Sequence, residues 1–246
     1  HALGLKFLQM EHAAAGLRRG FTVLAEDESF AVVKDLAPKS ANQDSLFRLR
    51  GLISRSKDAR LSPEQAATQA RSPREHEAAQ LYAGYARRLD ALGAVDFDDL
   101  IARPLDVLEQ QPEVAARWQQ RIQYLLVDEY QDTNRIQYAL IRALLGKRRG
   151  LTVVGDDDQS IYAWRGAHPE NLSELAREYP ELKVVKLERN YRCTPLVLEA
   201  ANAVIANNSH LFEKRLWNDG DPGEPVLVQE LRDETAEADW VASCIA

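Results

Sequence analysis

Two short apolar runs flank an amphipathic stretch in the middle of this 246-residue chain. The first run covers residues 124–127 and the second covers residues 151–154. Neither run has a helical period, which is typical of strands that are buried on both faces of a sheet. Between them, from Asn134 to Gly146, apolar residues recur at helical spacing. A strand, a helix and a second strand with short connections predict a parallel βαβ unit.

Acidic and amide side chains follow both predicted strands. Asp128 and Glu129 come directly after the first strand, and residues 156–159, which end with Gln159, come after the second. Because the carboxyl ends of neighbouring parallel strands meet at one edge of a sheet, we expect these side chains to lie close together. Open α/β sheets bind their ligands at that edge.

The pair Asp128 and Glu129 has the Walker B arrangement. In that arrangement the first carboxylate holds Mg²⁺, usually through water, and the second orients the attacking water. Acids that only cap a turn produce the same pair, but the string from Val127 to Asp132 is much more specific. Gln159, at the end of the neighbouring strand, could hydrogen-bond a terminal phosphate.

Two aromatic residues and a cation follow Gln159. In an extended segment, side chains two positions apart share a face, so Tyr162 and Trp164 are expected to point the same way, with Arg165 beside them. Such a group is a stacking platform for unpaired bases, at about 1 to 3 kcal/mol per stacked base. The alternative is that Trp164 is a buried core residue.

A third short polar string consists of Asn190, Tyr191 and Arg192. Arg192 could stabilise charge on a phosphoryl group in transfer, as an arginine finger does. Tyr191 would then be free to stack on a purine. The simpler interpretation of an arginine in so short a string is a surface ion pair.

The first hundred residues are predicted to be mostly helical. Residues 1–20 are expected to form a helix that ends at Gly20, and residues 36–45 form a polar loop. Ser62 and Ser72 each begin a capping box with proline at the first helical position. The second of these helices carries an apolar stripe and ends at glycine 93. The stripe consists of Ala78, Tyr82, Tyr85, Leu89 and Leu92.

Two further strands and two helices are expected towards the C-terminus. The strands are residues 184–187 and a segment that begins at residues 226–228. Thr194 is expected to cap the first helix, and residues 242–246 belong to the second. The inward face of the first helix is predicted to consist of Val197, Ala200, Ala201, Val204 and Ile205.

The composition excludes several classes of protein. A net charge of −7 argues against nucleic-acid binding through bulk positive charge. No apolar run approaches the roughly 18 residues of a membrane helix, so no membrane association is expected. Two cysteines, Cys193 and Cys244, cannot form a disulfide framework or a four-cysteine zinc site. We therefore expect a globular cytoplasmic protein of one or two domains.

One stretch nevertheless carries a local excess of positive charge. Between Leu46 and Arg74, seven basic residues stand against two acids. Such a run is usually a solvated face, but it could also be a track for DNA. The basic residues are Arg48, Arg50, Arg55, Lys57, Arg60, Arg71 and Arg74.

Three ordered strings resemble motifs II, III and IV of the superfamily 1A DNA helicases in the Rep, UvrD and PcrA group. They are residues 125–133, 155–166 and 187–192. The strings at 96–101, 200–208 and 212–216 are most similar to the Rep members of that group. The likeness covers essentially the whole chain. It implies an α/β fold, namely a RecA-like parallel-sheet motor domain of the P-loop NTPase type with a mostly helical inserted subdomain.

The resemblance implies an enzyme with ATP and Mg²⁺ as cofactors, and it gives roles to individual residues. Asp128 would bind Mg²⁺ and Glu129 would activate water. Gln159 would couple the γ-phosphate to the DNA site. Tyr191 would pack on adenine, and Arg192 would contact the γ-phosphate from the second motor domain.

The implied partner is single-stranded DNA, including its junctions with duplex DNA, along which the motor would move 3′ to 5′. Tyr162 and Trp164 would stack bases beside Arg165. Residues 1–5 resemble the tail of an early DNA-contacting motif of the family, and the basic stretch would face DNA. Replication or repair proteins are further implied partners.

The same resemblance divides the chain into domains. Residues 1–20 and 96–186 would belong to motor domain 1A, residues 21–95 to the helical insertion 1B, and residues 187–246 to the start of motor domain 2A. The chain contains no Walker A sequence, G-x-x-x-x-G-K-[ST]. The later motifs are also missing, so we expect a truncated piece of a longer helicase that hydrolyses ATP poorly or not at all alone.

The sequence is also compatible with two other functions. One is a metal-dependent nuclease, which would need Asp128, Asp132 and residues 156–158 to converge around two metal ions. It leaves Gln159, Trp164 and Arg192 without a role. The other is a non-enzymatic module that binds single-stranded DNA in a salt-dependent manner and is indifferent to ATP.

Overall fold

The computed structural model describes residues 1–162, 167–168, 170–208 and 212–245. The chain forms two compact units, His1–Leu175 and Ala176–Ala246. The boundary between them lies within one helix, Glu170–Glu178. Among the described residues, no helix has both the length and the apolar character needed to cross a membrane.

Four helices of the first unit surround one apolar core. They are α1 (Ala2–Met10), α6 (Asp99–Gln110), α7 (Pro112–Arg121) and α8 (Arg135–Leu145). Each presents an apolar face to the others, as amphipathic helices do when they pack around a shared interior. The fully or nearly fully buried side chains of this core include Phe7, Leu8, Leu105, Trp118, Ile136 and Leu144.

A second core lies between four consecutive helices that form a helical subdomain. These are α2 (Glu26–Leu36), α3 (Gln43–Asp58), α4 (Pro63–Gln69) and α5 (Pro73–Leu92). The capping boxes predicted at Ser62 and Ser72 are both present, and Gly93 ends α5 in the left-handed conformation. In the apolar stripe of α5, the first four members are buried, but Leu92 is exposed.

The helical subdomain begins and ends at a pair of short parallel strands. Strand β1 (Thr22–Val23) precedes it and pairs with β2 (Ala94–Val95), which follows it. The chain therefore leaves the first core and returns to it at adjacent points. This arrangement is typical of a subdomain inserted into a larger domain.

The predicted βαβ unit is confirmed. Strand β3 (Leu125–Val127) pairs in parallel with β4 (Leu151–Val153), and α8 connects them. The prediction that both faces of these strands are buried is wrong, since Leu126 is 73% exposed while its neighbours in β3 are half-buried. No helix or strand among the described residues covers the face that carries Leu126.

The predicted N-terminal helix is too long. Helix α1 ends at Met10, and residues 11–20 form turns in which Gly16 and Gly20 have positive φ angles. The Glu11 carboxylate accepts hydrogen bonds from Trp118 Nε1 at 3.0 Å and Arg117 Nη2 at 2.8 Å. Because this position is fixed to α7, the chain turns after Met10 and packs Ala14, Ala15 and Leu17 on the first core.

The second unit contains α10 (Pro195–Ile205) and α11 (Glu234–Ile245), and α9 (Glu170–Glu178) spans the boundary. The strands predicted at 184–187 and 226–228 are not formed. A strand requires a hydrogen-bonded neighbour, and the strand-like pairing described in this unit is one isolated parallel bridge between Arg189 and Trp217.

The predicted inward face of α10 is also wrong. Leu198 is the buried residue of this helix, whereas Val197, Ala201 and Val204 are exposed and Ala200 and Ile205 are half-buried. Thr194 occupies the N-cap position but makes no side-chain capping bond. The prediction of a helix here was correct, but few of the described residues pack against the face that was predicted to point inward.

Candidate functional site

The polar ends of β3 and β4 lie at one edge of their sheet, as expected. Val154 N donates to Val127 O at 2.8 Å, and Tyr130 N donates to Val154 O at 2.9 Å. These bonds continue the pairing past the ends of both strands. They fasten the loop that carries Asp128 and Glu129 to the loop that begins at Gly155.

Asp128 and Glu129 project from this edge and are exposed. Asp128 Oδ1 accepts a hydrogen bond from Glu129 N at 3.0 Å. Glu129 has φ of 49° and ψ of 46°, a left-handed conformation that is uncommon for residues other than glycine and often marks functional sites. A single turn of 3-10 helix, Tyr130–Asp132, follows directly.

Gln131 connects the two loops, and its importance was not predicted. This side chain is 1% exposed. Its Nε2 donates to Glu129 Oε2 at 2.8 Å, and its Oε1 accepts from Asp156 N at 3.0 Å. In the sequence, the feature that could have indicated Gln131 is its position inside the string at 125–133. The spacing of residues alone does not show where its amide points.

The second loop holds Gln159 against its own first residue. Asp156 caps the 3-10 turn Asp157–Gln159, since its Oδ1 accepts from Asp158 N at 3.2 Å. Asp156 Oδ2 accepts from Gln159 Nε2 at 2.7 Å. A continuous path of hydrogen bonds therefore runs from Glu129 through Gln131 and Asp156 to Gln159.

Gly155 is required by the close approach of the two loops. A Cβ atom at this position would lie 2.9 Å from Gln131 Oε1 and 3.4 Å from Gln131 N. Any larger residue would displace the Gln131 side chain. The glycine at the end of β4 is therefore explained by packing against the bridge between the loops.

Buried polar contacts anchor the first loop from the opposite side. Thr133 Oγ1 donates to Tyr130 O at 2.7 Å, and the buried Asn171 donates to Thr133 O at 2.8 Å. His168 N also donates to Thr133 O at 3.0 Å. The chain that follows the second loop thus returns to the first loop and limits its movement.

The predicted base-stacking group can be located only in part. Tyr162 is exposed, and its carbonyl oxygen accepts from Ala167 N at 3.2 Å. Trp164 and Arg165 lie outside the described residues. The common face predicted for Tyr162 and Trp164 therefore stays a prediction.

The carboxylates do not form the arrangement that a two-metal nuclease needs. Asp156, Asp157 and Asp158 place ligand oxygens within 4.8 Å of one another. In the described ranges, no comparable group includes Asp128 or Asp132. The exposed Asp128 carboxylate, a hard oxygen donor at a rigid strand end, instead suits a single Mg²⁺ held partly through water.

The second unit carries the string with Tyr191 and Arg192. Tyr191 is 81% exposed, and the Arg189 guanidinium lies 5.1 Å from the centroid of its ring. Asn190 Oδ1 accepts from Arg192 N and from Cys193 N, each at 2.8 Å. This cap fixes the backbone while the Arg192 side chain stays exposed.

Arg189 makes several contacts that the sequence did not indicate. Its guanidinium also lies 5.3 Å from the Trp217 ring and pairs with both carboxylate oxygens of Asp219 at 3.0 Å. The ion pair expected as the simple alternative for Arg192 is thus made by Arg189. Among the described residues, Arg192 forms no ion pair.

The basic stretch is not one continuous positive surface. Arg50 pairs with Asp98, and Lys57 pairs with Asp96. Arg60 pairs with Asp106 and Glu109 of α6. These three cations are neutralised by acids outside the stretch, which a count within it could not show. The exposed basic residues that remain are Arg48, Arg55, Arg71 and Arg74.

Comparison with known proteins agrees with the motif assignment. The model of the UvrD/REP helicase N-terminal domain matches residues 1–180, and that of the UvrD-like helicase C-terminal domain matches residues 185–246. The ATP-dependent DNA helicase Rep of Escherichia coli (strain K12) is 44% identical over 243 residues. The Rep helicase of Buchnera aphidicola subsp. Acyrthosiphon pisum (strain APS) is 41% identical over 247 residues.

A third relative is the ATP-dependent DNA helicase PcrA of Staphylococcus aureus (strain Mu50 / ATCC 700699), which is 40% identical over 245 residues. These alignments cover 98% to 100% of this chain but only 33% to 38% of each relative. The chain thus spans little more than a third of their length. Since two matching domain models together account for nearly all of its residues, the chain belongs to the UvrD/REP helicase family.

Proposed function

We propose that these residues are the central part of an ATP-dependent DNA helicase that couples ATP hydrolysis to 3′ to 5′ movement on single-stranded DNA. The observation that carries this proposal is the hydrogen-bonded path from Glu129 to Gln159 across the ends of two parallel strands. Membership of the UvrD/REP family supports it, because the relatives described above are named ATP-dependent DNA helicases.

The first unit would supply the hydrolytic side of the reaction. Asp128 would hold Mg²⁺, which neutralises charge on the β- and γ-phosphates when it is bound. Glu129 would orient the attacking water and accept its proton. Gln159 would hydrogen-bond the γ-phosphate and report its presence to the DNA site.

Two residues of the second unit, Tyr191 and Arg192, would also contact nucleotide. Tyr191 is 81% exposed, so its ring can offer an aromatic face to adenine beside Arg189. Arg192 would contact the γ-phosphate and stabilise the charge of the transition state. The backbone cap made by Asn190 supports this role, because it fixes the point from which the arginine extends.

Single-stranded DNA and its junctions with duplex would bind through Tyr162, Trp164 and Arg165. Stacking on the two rings would grip successive bases without sequence preference. The exposed arginines of the helical subdomain, such as Arg48 and Arg55, would add contacts to phosphates. Replication or repair proteins are the partners we would seek first, in the cytoplasm.

We infer a RecA-like motor fold with the domain boundaries given by the motifs. The paired strands β1 and β2 support an inserted domain 1B at residues 21–95, since they flank the second core. Domain 1A would take residues 1–20 and 96–186, and domain 2A would begin at residue 187. The compact units divide earlier, after Leu175, and the two family matches divide between residues 180 and 185.

Unwinding of tailed duplexes tests the proposal. The full-length protein, with ATP and Mg²⁺, should unwind a duplex that has a 3′ single-stranded tail and leave one with a 5′ tail intact. The isolated 246 residues should show little or no ATP hydrolysis. If the protein binds single-stranded DNA with the same affinity with and without ATP and does not unwind the duplex, a non-enzymatic binding module would be favoured instead.

A further inference from the structure

The most completely buried amide near the proposed site belongs to Gln131. Its side chain is 1% exposed and lies in the turn Tyr130–Asp132. Burial of an amide is costly unless both of its ends are hydrogen-bonded. Both ends of Gln131 are satisfied, one by the side chain of Glu129 and the other by the backbone of Asp156.

The two partners determine the orientation of this amide. Nε2 of Gln131 donates to a carboxylate oxygen of Glu129. An ionised carboxylate has no proton, so it accepts hydrogen bonds and cannot donate them. Oε1 accepts from a backbone N–H, which can only donate. If the amide were flipped, oxygen would face oxygen and N–H would face N–H. The bridge therefore has one orientation, with its donor towards Glu129.

This bridge acts on a residue with an unusual backbone. Glu129 has a positive φ of 49°, so its conformation must be maintained by its surroundings. The contacts that do so include the bond from its own N–H to Asp128, the bond from Asp132 N to its carbonyl oxygen and the bond from Gln131 to its carboxylate. Gln131 thereby fixes the direction in which the Glu129 carboxylate points.

The other end of the bridge controls the loop of Gln159. Asp156, whose N–H bonds to Gln131, also holds Gln159 Nε2 through its carboxylate at 2.7 Å. A displacement of Gln159 would therefore be transmitted through Asp156 and Gln131 to Glu129. The Ser160 hydroxyl lies near the same loop, with its oxygen 3.5 Å from Gln131 O.

We propose that Gln131 is a positioning residue that couples the Gln159 loop to the Glu129 carboxylate, so that DNA binding sets the orientation of the hydrolytic base. The inference rests on the proposed function and adds to it the physical connection between its two sides. Gln131 itself contacts neither nucleotide nor DNA in this account. It acts through Glu129 at one end and Asp156 at the other.

Three variants of the full-length protein test the inference. Gln131→Met has a similar length but removes both hydrogen bonds, and Gln131→Glu keeps the acceptor for Asp156 N but replaces the amide donor with a second carboxyl group against Glu129. Gln137→Glu is the matched control, because Gln137 accepts from Asn134 N in the capping box of α8 and glutamate can do the same.

The readouts are the affinity for a fluorescent ATP analogue, the melting temperature, and kcat and KM for ATP with and without single-stranded DNA. Both Gln131 variants should lower the DNA-stimulated kcat about tenfold or more, the scale of a lost buried hydrogen bond to a charged group. KM and analogue affinity should change little, and the DNA-free rate should fall clearly less than the DNA-stimulated rate. Gln137→Glu should match the unaltered protein.

A double-variant cycle separates coupling from a merely structural role. If Gln131 and Gln159 act in one path, Gln131→Met combined with Gln159→Ala should reduce the DNA-stimulated kcat no further than the stronger single variant. Multiplicative losses would overturn the inference. The inference would also be overturned if kcat fell equally with and without DNA. It would be overturned as well if both Gln131 variants had a lower melting temperature and no longer bound nucleotide.

The outcome also distinguishes the inference from the proposed function beneath it. If the unaltered protein hydrolyses ATP in response to DNA and Glu129→Gln loses this activity, the proposed function stands. Normal DNA stimulation in Gln131→Met would then overturn the inference alone. If the unaltered protein has no ATPase activity, both are overturned.

Discussion

Lys57 Nζ lies 2.6 Å from Asp96 Oδ1, and both side chains are buried. Lys57 belongs to α3 of the helical subdomain, and Asp96 follows β2, where the chain returns to the first core. Asp99 Oδ1 lies 2.8 Å from the same ammonium group, and Tyr85 OH donates to Asp96 Oδ2 at 2.8 Å. This cluster joins the two cores of the first unit.

The ion pair predicts a large loss of stability when Lys57 is replaced. Lys57→Met leaves the buried Asp96 without its cation and leaves Asp99 with only Arg103, whose Nε lies 3.6 Å from Asp99 Oδ1. Removal of one partner from a buried pair typically costs about 3 to 5 kcal/mol. The first thermal unfolding transition of the full-length protein, followed by circular dichroism, should move to clearly lower temperature. Arg55→Met, at an exposed position of the same helix, should change it little. Equal effects of the two substitutions would show that the cluster does not hold the subdomain.

Asp58, beside this cluster, predicts a pH dependence of stability. Burial, followed by repulsion from Asp98, raises the pKa of its carboxyl from 3.8 to about 6. A carboxyl whose pKa is higher in the folded protein stabilises the fold while it is protonated, and this contribution is lost as pH rises from about 4 to about 6. Because the group is partly solvated, we expect a loss of about 1 kcal/mol.

Asp58→Asn isolates that contribution. The variant should be more stable than the unaltered protein at pH 7 and equally stable at pH 4, as measured by urea unfolding at both values. The exposed Asp35 supplies a control through Asp35→Asn. A stability difference between Asp58→Asn and the unaltered protein that is the same at pH 4 and pH 7 would contradict the raised pKa.

Two helical glycines predict opposite effects of the same substitution. A Cβ atom on Gly4 would lie 1.7 Å from Leu100 O, a backbone atom that cannot rotate away. Gly4→Ala should therefore force α1 and α6 apart at a cost of about 2 kcal/mol or more. A Cβ atom on Gly51 meets nothing within 4 Å, so Gly51→Ala should stabilise α3 by about 0.5 to 1 kcal/mol. Melting temperatures check both, and a stable Gly4→Ala would contradict the close contact.

Features that depend on neighbours in sequence could be predicted. The capping boxes at Ser62 and Ser72, the left-handed stop at Gly93 and the βαβ order all follow from local spacing. The edge that carries Asp128 and the Gln159 loop follows from the handedness and direction of parallel strands.

Features that depend on residues far apart in the sequence could not be predicted. Lys57 and Asp96 are 39 positions apart, and the bridge from Gln131 to Asp156 spans 25. The strand expected at 184–187 failed for the same reason, because an apolar run becomes a strand only beside another strand. Its composition carries no information about whether that neighbour is present.

DNA-stimulated ATP hydrolysis by full-length Glu129→Gln tests the central claim most directly. The variant keeps the size and hydrogen-bonding reach of the side chain but cannot accept a proton from water. We predict that it binds a fluorescent ATP analogue as tightly as the unaltered protein and loses most of its DNA-stimulated turnover, on the order of a hundredfold or more. Turnover close to that of the unaltered protein would remove Glu129 from its role and contradict the account.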